Sequence, residues 1–190
     1  FTDPMVNDTN NLLSGSLFYS FSGRSSMYYA PLDMITKGGS FRWGRRFKWP
    51  DDYFRGSWSF TAHQRIYEAD NDEQLQLYTG GLNETIGVSI TQSISRDSRD
   101  HPEFPTIGSL MAISSSISGG PLGGNEDFHK HVLNLEWYTP TVWKFVLMSS
   151  VKIGGIKTLP SSDNERSMVP FNERFIMGGS GMVYGNPLRG

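Results

Sequence analysis

The sequence predicts an all-β fold, an antiparallel transmembrane β-barrel, on three observations. Long segments alternate strictly between apolar and polar residues, the connections alternate between long and short, and aromatic residues gather at the short connections. Composition sets the frame: of 190 residues, 37% are hydrophobic and 19% charged, with a mean hydropathy of -0.40. The longest apolar runs, such as 145–148, are far shorter than the roughly 20 residues a spanning helix requires.

The strand signals follow in chain order. In 14–22, Leu17, Tyr19 and Phe21 oppose Ser16, Phe18, Ser20 and Ser22. In 40–49, Phe41, Trp43, Phe47 and Trp49 oppose Ser40, Arg42, Gly44, Arg46 and Lys48, with Arg45 alone breaking the pattern. In 57–67, Trp58, Phe60, Ala62 and Ile66 oppose Ser57, Ser59, Thr61, His63 and Arg65. The alternation is strongest in 85–95, which sets Ile86, Val88, Ile90 and Ile94 against Thr85, Gly87, Ser89, Thr91, Ser93 and Ser95. Weaker versions follow in 109–117 (Met111, Ile113, Ile117), 132–138 (Leu133, Leu135, Trp137) and 144–153 (Phe145, Leu147, Val151, Ile153). The result is about seven strands, mostly about 9 to 14 residues long, where ordinary strands average about 5 to 6.

Long connections fall at 23–37, 69–83 and 119–128, and tighter ones at 50–53, 96–106 and 139–141. In a meander every second connection lies at the same end, so one rim carries long polar loops and the other mostly short turns. Trp49, Tyr53, Phe54, Phe104, Trp137, Tyr138, Trp143 and Phe145 flank the short turns, where amphipathic rings mark a membrane interface. The competing fold is a soluble β-sandwich, which predicts shorter strands and no such asymmetry between rims.

Other signals are mostly negative. A net charge of -2 gives no electrostatic reason to expect a nucleic-acid partner. The absence of cysteine excludes a disulfide framework and any thiolate metal site. His129 and His131 share a strand face but have no third ligand in sight, so they read as solvated histidines at a loop edge, and no metal or cofactor is expected. The run Glu68 to Gln74 lacks the glycine and terminal glutamate of a calcium loop and reads as a solvated loop tip. "GGSGM" does not complete a nucleophile elbow, "GSGMVYG" is not a dinucleotide fingerprint, and no enzyme activity is expected. No targeting signal is visible, and a chain opening on Phe1 and closing on "LRG" reads as a piece of something longer.

Two segments stand out. Residues 96–109, "RDSRDHPEFPTIGS", place Arg96, Asp97, Arg99 and Asp100 in alternating sign ahead of Phe104, Pro105, Thr106 and Gly108. Residues 170–190, "PFNERFIMGGSGMVYGNPLRG", bring Gly178 and Gly179 ahead of Leu188, Arg189 and Gly190. Together with "FTDP" at the start, these segments resemble the BamA family of outer-membrane β-barrel assembly factors, in which POTRA domains precede the barrel. The first is similar to that family's arginine-aspartate turn and strand start, the second to its sixth extracellular loop. The likeness runs through the chain from end to end. Extra residues between the glycine pair and the arginine, and Leu188 in place of valine or isoleucine, mark a divergent branch.

The resemblance implies that residues 1–190 are part of one sixteen-stranded outer-membrane barrel domain, with 155–190 a loop that folds into the lumen. The POTRA domains, the remaining strands and the gate between first and last strands would lie outside the chain. It implies a bacterial outer-membrane location and a non-enzymatic role: central component of the machinery that folds and inserts β-barrel proteins without ATP. The implied partners are accessory assembly lipoproteins, other machinery subunits, unfolded barrel clients and the lipid bilayer. Glycines would let the loop approach the lumen wall, and Arg189 would anchor it to a carboxylate on a later strand. The alternatives are a related translocation pore, a TamA-like assembly factor, a passive porin or a soluble carbohydrate-binding sandwich.

Overall fold

The computed structural model describes residues 2–3, 10–23, 32–160, 169–170, 173–179 and 183–189. Eight strands form one antiparallel sheet in strict sequence order: β1 (Thr2–Asp3), β2 (Asn11–Ser22), β3 (Asp33–Arg46), β4 (Phe54–Glu68), β5 (Glu84–Asp97), β6 (Gly108–Ser118), β7 (Phe128–Pro140) and β8 (Val146–Thr158). The seven long strands run from 11 residues in β6 to 15 in β4, enough to cross a bilayer when tilted. β1 is a short edge piece pairing Thr2 with Ser14 and Asp3 with Leu13.

Register keeps the alternating faces aligned from strand to strand, because a one-residue slip would turn every side chain over. Ile90 pairs with Ile117 and Ile94 with Ile113, and that row continues through Leu133 to Ile153. The opposite face is a hydroxyl ladder: Thr91 donates to Ser116 at 3.0 Å and Ser93 to Ser114 at 3.2 Å. Among the described residues nothing packs on the isoleucine face. Ile90 is 43% exposed, Leu147 57% and Phe145 68%, values that decide against a sandwich, whose inner faces cover one another. Among the described residues the buried apolar side chains are only Leu32, Tyr67 and Phe128. The sheet is therefore a barrel wall with an apolar outer face and a polar inner one.

Trp43 stacks on Trp58 with ring centroids 4.7 Å apart and Phe47 meets Trp58 edge-on at 6.5 Å. This aromatic cluster occupies the outer face toward the short turns. Trp49, Tyr53, Phe104, Trp137, Trp143 and Phe145, which flank those turns, are all exposed there, as an interfacial girdle requires.

Two connections hold more structure than alternation suggests. The acidic run read as a loop tip opens a helix, α1 (Asp72–Thr79), with Asp72 and Glu73 in its first turn, where the helix dipole favours negative charge. It ends on Gly80 in the left-handed conformation, with Gly80 and Gly81 N–H donating back to Gln76 and Leu75. Leu75 and Tyr78 pack against Leu32 and Tyr67, a small core that exists only once β3 and β4 are paired. In the closing segment, β9 (Ile176–Gly179) and β10 (Val183–Arg189) form a separate antiparallel pair with an irregular register.

Candidate functional site: the loop seat on the inner wall

The inner face near the long-loop rim carries a charged cluster built from β4, β5, β7, the segment 124–126 and the closing segment. β6 stops at Ser118, while β5 continues upward to Glu84, leaving the edge of β5 free above that point. Residues 124–126 cover it: Gly124 bridges Gly87, Asn125 N–H donates to Ile86 O at 2.9 Å, and Ile86 N–H donates to Asn125 Oδ1 at 2.7 Å. This short splice carries Glu126 over the inner face, where it is 1% exposed.

Three groups make four contacts with that carboxylate. Arg65 Nη1 donates to both oxygens at 2.8 Å, Thr85 Oγ1 donates at 2.7 Å, and His63 Nε2 lies 3.1 Å from Oε2. Burial pushes the Glu126 carboxyl up, but the His63 hydrogen bond, the Arg65 charge and the Thr85 hydroxyl outweigh it and hold the group below the usual carboxylate range. Tyr67 OH, 3.3 Å from Thr85 Oγ1, extends the network. Gly87 is required here by space: a Cβ would run into the His63 ring and the Glu126 carboxylate.

Glu173 of the closing segment joins this cluster. Its carboxylate lies 3.3 Å from Arg65 Nη2 and 3.3 Å from Lys130 Nζ, and its carbonyl accepts from Lys130 at 2.8 Å. Phe175, two residues on, seats against Gly154 of β8, where any side chain would collide with the ring, and Lys130 Nζ lies 5.2 Å from the ring centroid. The segment thus folds back onto the inner wall and is held by β4, β7 and β8.

The turn motif is also assembled. Arg99 chelates Asp97 through Nε and Nη2, both at 2.8 Å. Asp100 caps the turn, accepting from the N–H of His101 (3.0 Å), Thr106 (2.8 Å) and Ile107 (3.3 Å) and from the Thr106 hydroxyl (2.5 Å). Those donors hold its carboxyl well below the usual carboxylate range, the Thr106 hydroxyl first among them. Gly108 adopts φ 111° and lies so close to the Ser98 carbonyl that a Cβ would overlap it. Arg96 reaches the adjacent turn instead, pairing with Asp51 at 2.8 Å. Phe104 is exposed and stacks on His101 at 6.1 Å, with Pro105 beside it in the same turn.

In the second motif, Gly178 and Gly179 lie on β9 and Leu188 and Arg189 on β10; Arg189 pairs in register with Ile176 and Leu188 with Met177. Gly190 lies outside the described residues. Of the residues that build the loop seat, alternation places Arg65 on the polar face without naming its partner and leaves Glu126, Lys130 and Glu173 unassigned.

An Omp85 superfamily domain model matches residues 1–190, the whole chain. The chain belongs to the Omp85 superfamily. It is 28% identical over 187 residues to the outer membrane protein assembly factor BamA of Nitratidesulfovibrio vulgaris, covering 97% of this chain and 22% of that protein. A crystal structure of BamA from Haemophilus ducreyi lacking POTRA domains 1–3 superposes with a TM-score of 0.76 at 17% identity, over 95% of this chain and 35% of that one. The chain therefore spans less than half the length of either relative. As an Omp85 barrel wall it is a protein of the bacterial outer membrane, with the isoleucine face toward lipid and the Glu126 cluster toward the lumen.

Proposed function

We propose that the protein containing this chain is the central, non-enzymatic insertase of the outer-membrane assembly machinery, folding β-barrel clients into the bilayer. The observation that supports this reading best is the closing segment folded onto the lumen wall at Glu173 and Phe175, because an inward loop stiffens a barrel whose working edge lies elsewhere. No nucleotide site is expected, so the client's own folding free energy drives insertion, and exposed strand edges recognise clients by β-augmentation. Gly178 and Gly179 let the loop lie close to the wall, and Arg189 anchors it to a carboxylate on a later strand. The Arg96 to Gly108 turn pins the opposite rim. Accessory lipoproteins and other machinery subunits complete the assembly.

The test is reconstitution of the full-length protein in liposomes with a urea-unfolded barrel client, following the client's heat-modifiable gel mobility. Faster client folding than in empty liposomes is expected, lost in Arg189→Ala and kept in Glu73→Gln on exposed α1. Ion conductance or passenger export without client folding overturns the insertase reading in favour of a translocation pore.

A further inference from the structure

His129 and His131 on β7 and Lys157 on β8 form one cationic and hydrogen-bonding patch on the lipid-facing side, at the long-loop end of the wall. Lys157 pairs in register with His129, and His131 pairs with Gly155 and Ser115. The two imidazoles lie 5.3 Å apart, and Gly155 leaves open space beside them: among the described residues, its two chain neighbours aside, no atom lies within 4 Å of where a side chain would begin. Ser115 Oγ lies 3.0 Å from His131 Nδ1; a hydroxyl donating there fixes the proton on Nε2, which becomes a free donor. Below the patch the outer face turns apolar through Leu133, Ile153, Leu135 and Val151. Among the described residues none of the three forms an ion pair.

The placement constrains the ligand. A cation on the lipid face is costly within hydrocarbon and favourable at the headgroup level, where the lysine stem can lie along apolar surface. Here the patch begins one residue inside β7, at the upper border of the apolar band. Two ring N–H donors, an ammonium and an unfilled hollow over Gly155 match a tetrahedral oxyanion, which offers several acceptor oxygens and negative charge. We infer that this patch binds the phosphate-bearing headgroup of an outer-leaflet lipid, fixing one lipid against the β7–β8 face.

The full-length protein is reconstituted in phosphatidylcholine vesicles, and the immobilised fraction of spin-labelled phosphatidic acid is compared with that of spin-labelled phosphatidylcholine. The wild type is expected to prefer the phosphomonoester lipid, with Lys157 alone contributing about fivefold. The triple variant His129→Ala, His131→Ala, Lys157→Gln falls to parity, and Lys37→Gln, an outward lysine on β3, retains the preference. Folding is checked by heat-modifiable mobility; if the triple variant does not fold, Lys157→Gln alone must lower the preference. Parity in the wild type, an undiminished preference in the variants, or an equal loss in Lys37→Gln overturns the assignment. Client folding is not read in this assay, so a failure here and a failure of the insertase reading are separate results.

Discussion

Arg65 Nη1 lies 2.8 Å from each of the two Glu126 carboxylate oxygens, with both side chains nearly buried against the inner wall of the barrel. Sixty-one positions separate the two residues, and the pair ties β4 to the splice that covers the free edge of β5. Removing one partner strands the other charge, which costs about 3–5 kcal/mol for a buried pair. Arg65→Ala is therefore expected to lower the unfolding temperature of the full-length barrel strongly. Circular dichroism melts in detergent, with Arg65→Ala and Glu126→Ala compared with the double variant, should show coupling; additive losses would mean that the two do not act together.

The acid response follows from the same carboxylate. The folded-state pKa of Glu126 is depressed, so its contribution is present above the unfolded value of about 4.3 and is lost as pH falls through the folded one. Acid should destabilise the seat, and Glu126→Gln should flatten that part of the stability profile below about pH 4. An unchanged acid limb in Glu126→Gln, measured by denaturant midpoint against pH, contradicts this assignment.

Glu173 is partly exposed at 29%, so its two ion pairs contribute about 1 kcal/mol or less each. Glu173→Gln should leave the barrel melting point nearly unchanged. Its effect should appear as faster protease cutting within the closing segment, read by mass spectrometry of the fragments.

Gly154→Leu places a side chain where the Phe175 ring sits and should unseat the segment, whereas Gly15→Leu enters open space on the lipid face of β2. Limited proteolysis should separate them clearly. Equal protection in both variants would place the ring contact elsewhere.

In the short-turn motif, Asp100→Ala removes the acceptor for four donors and should lower the denaturant midpoint more than Phe104→Ala, whose ring is exposed. Gly108→Ala should be at least as damaging, because it meets both a positive φ and the Ser98 carbonyl.

Strand order and face assignment were legible in the residues themselves. Ile86 to Ile94 alternate with Thr85 to Ser95 so regularly that pairing could only align them, and the Ile90–Ile117 and Thr91–Ser116 partners follow. The Asp100 turn is likewise a local structure, because its acceptor and donors lie within seven residues of one another.

Helix α1 and the loop seat were not legible. Leu75 and Tyr78 are too few to write a helical stripe, and the partners that make them useful, Leu32 and Tyr67, come from two other segments. Glu126 reads as one acid in a polar loop, and Arg65 as one lumen-facing residue among several. Period-two patterning is a local property, set by the geometry of a single strand, so sequence alone determines which way a side chain faces. Which charge it meets depends on strand stagger and on a loop laid back across the wall, distances fixed only when the whole sheet has closed around them.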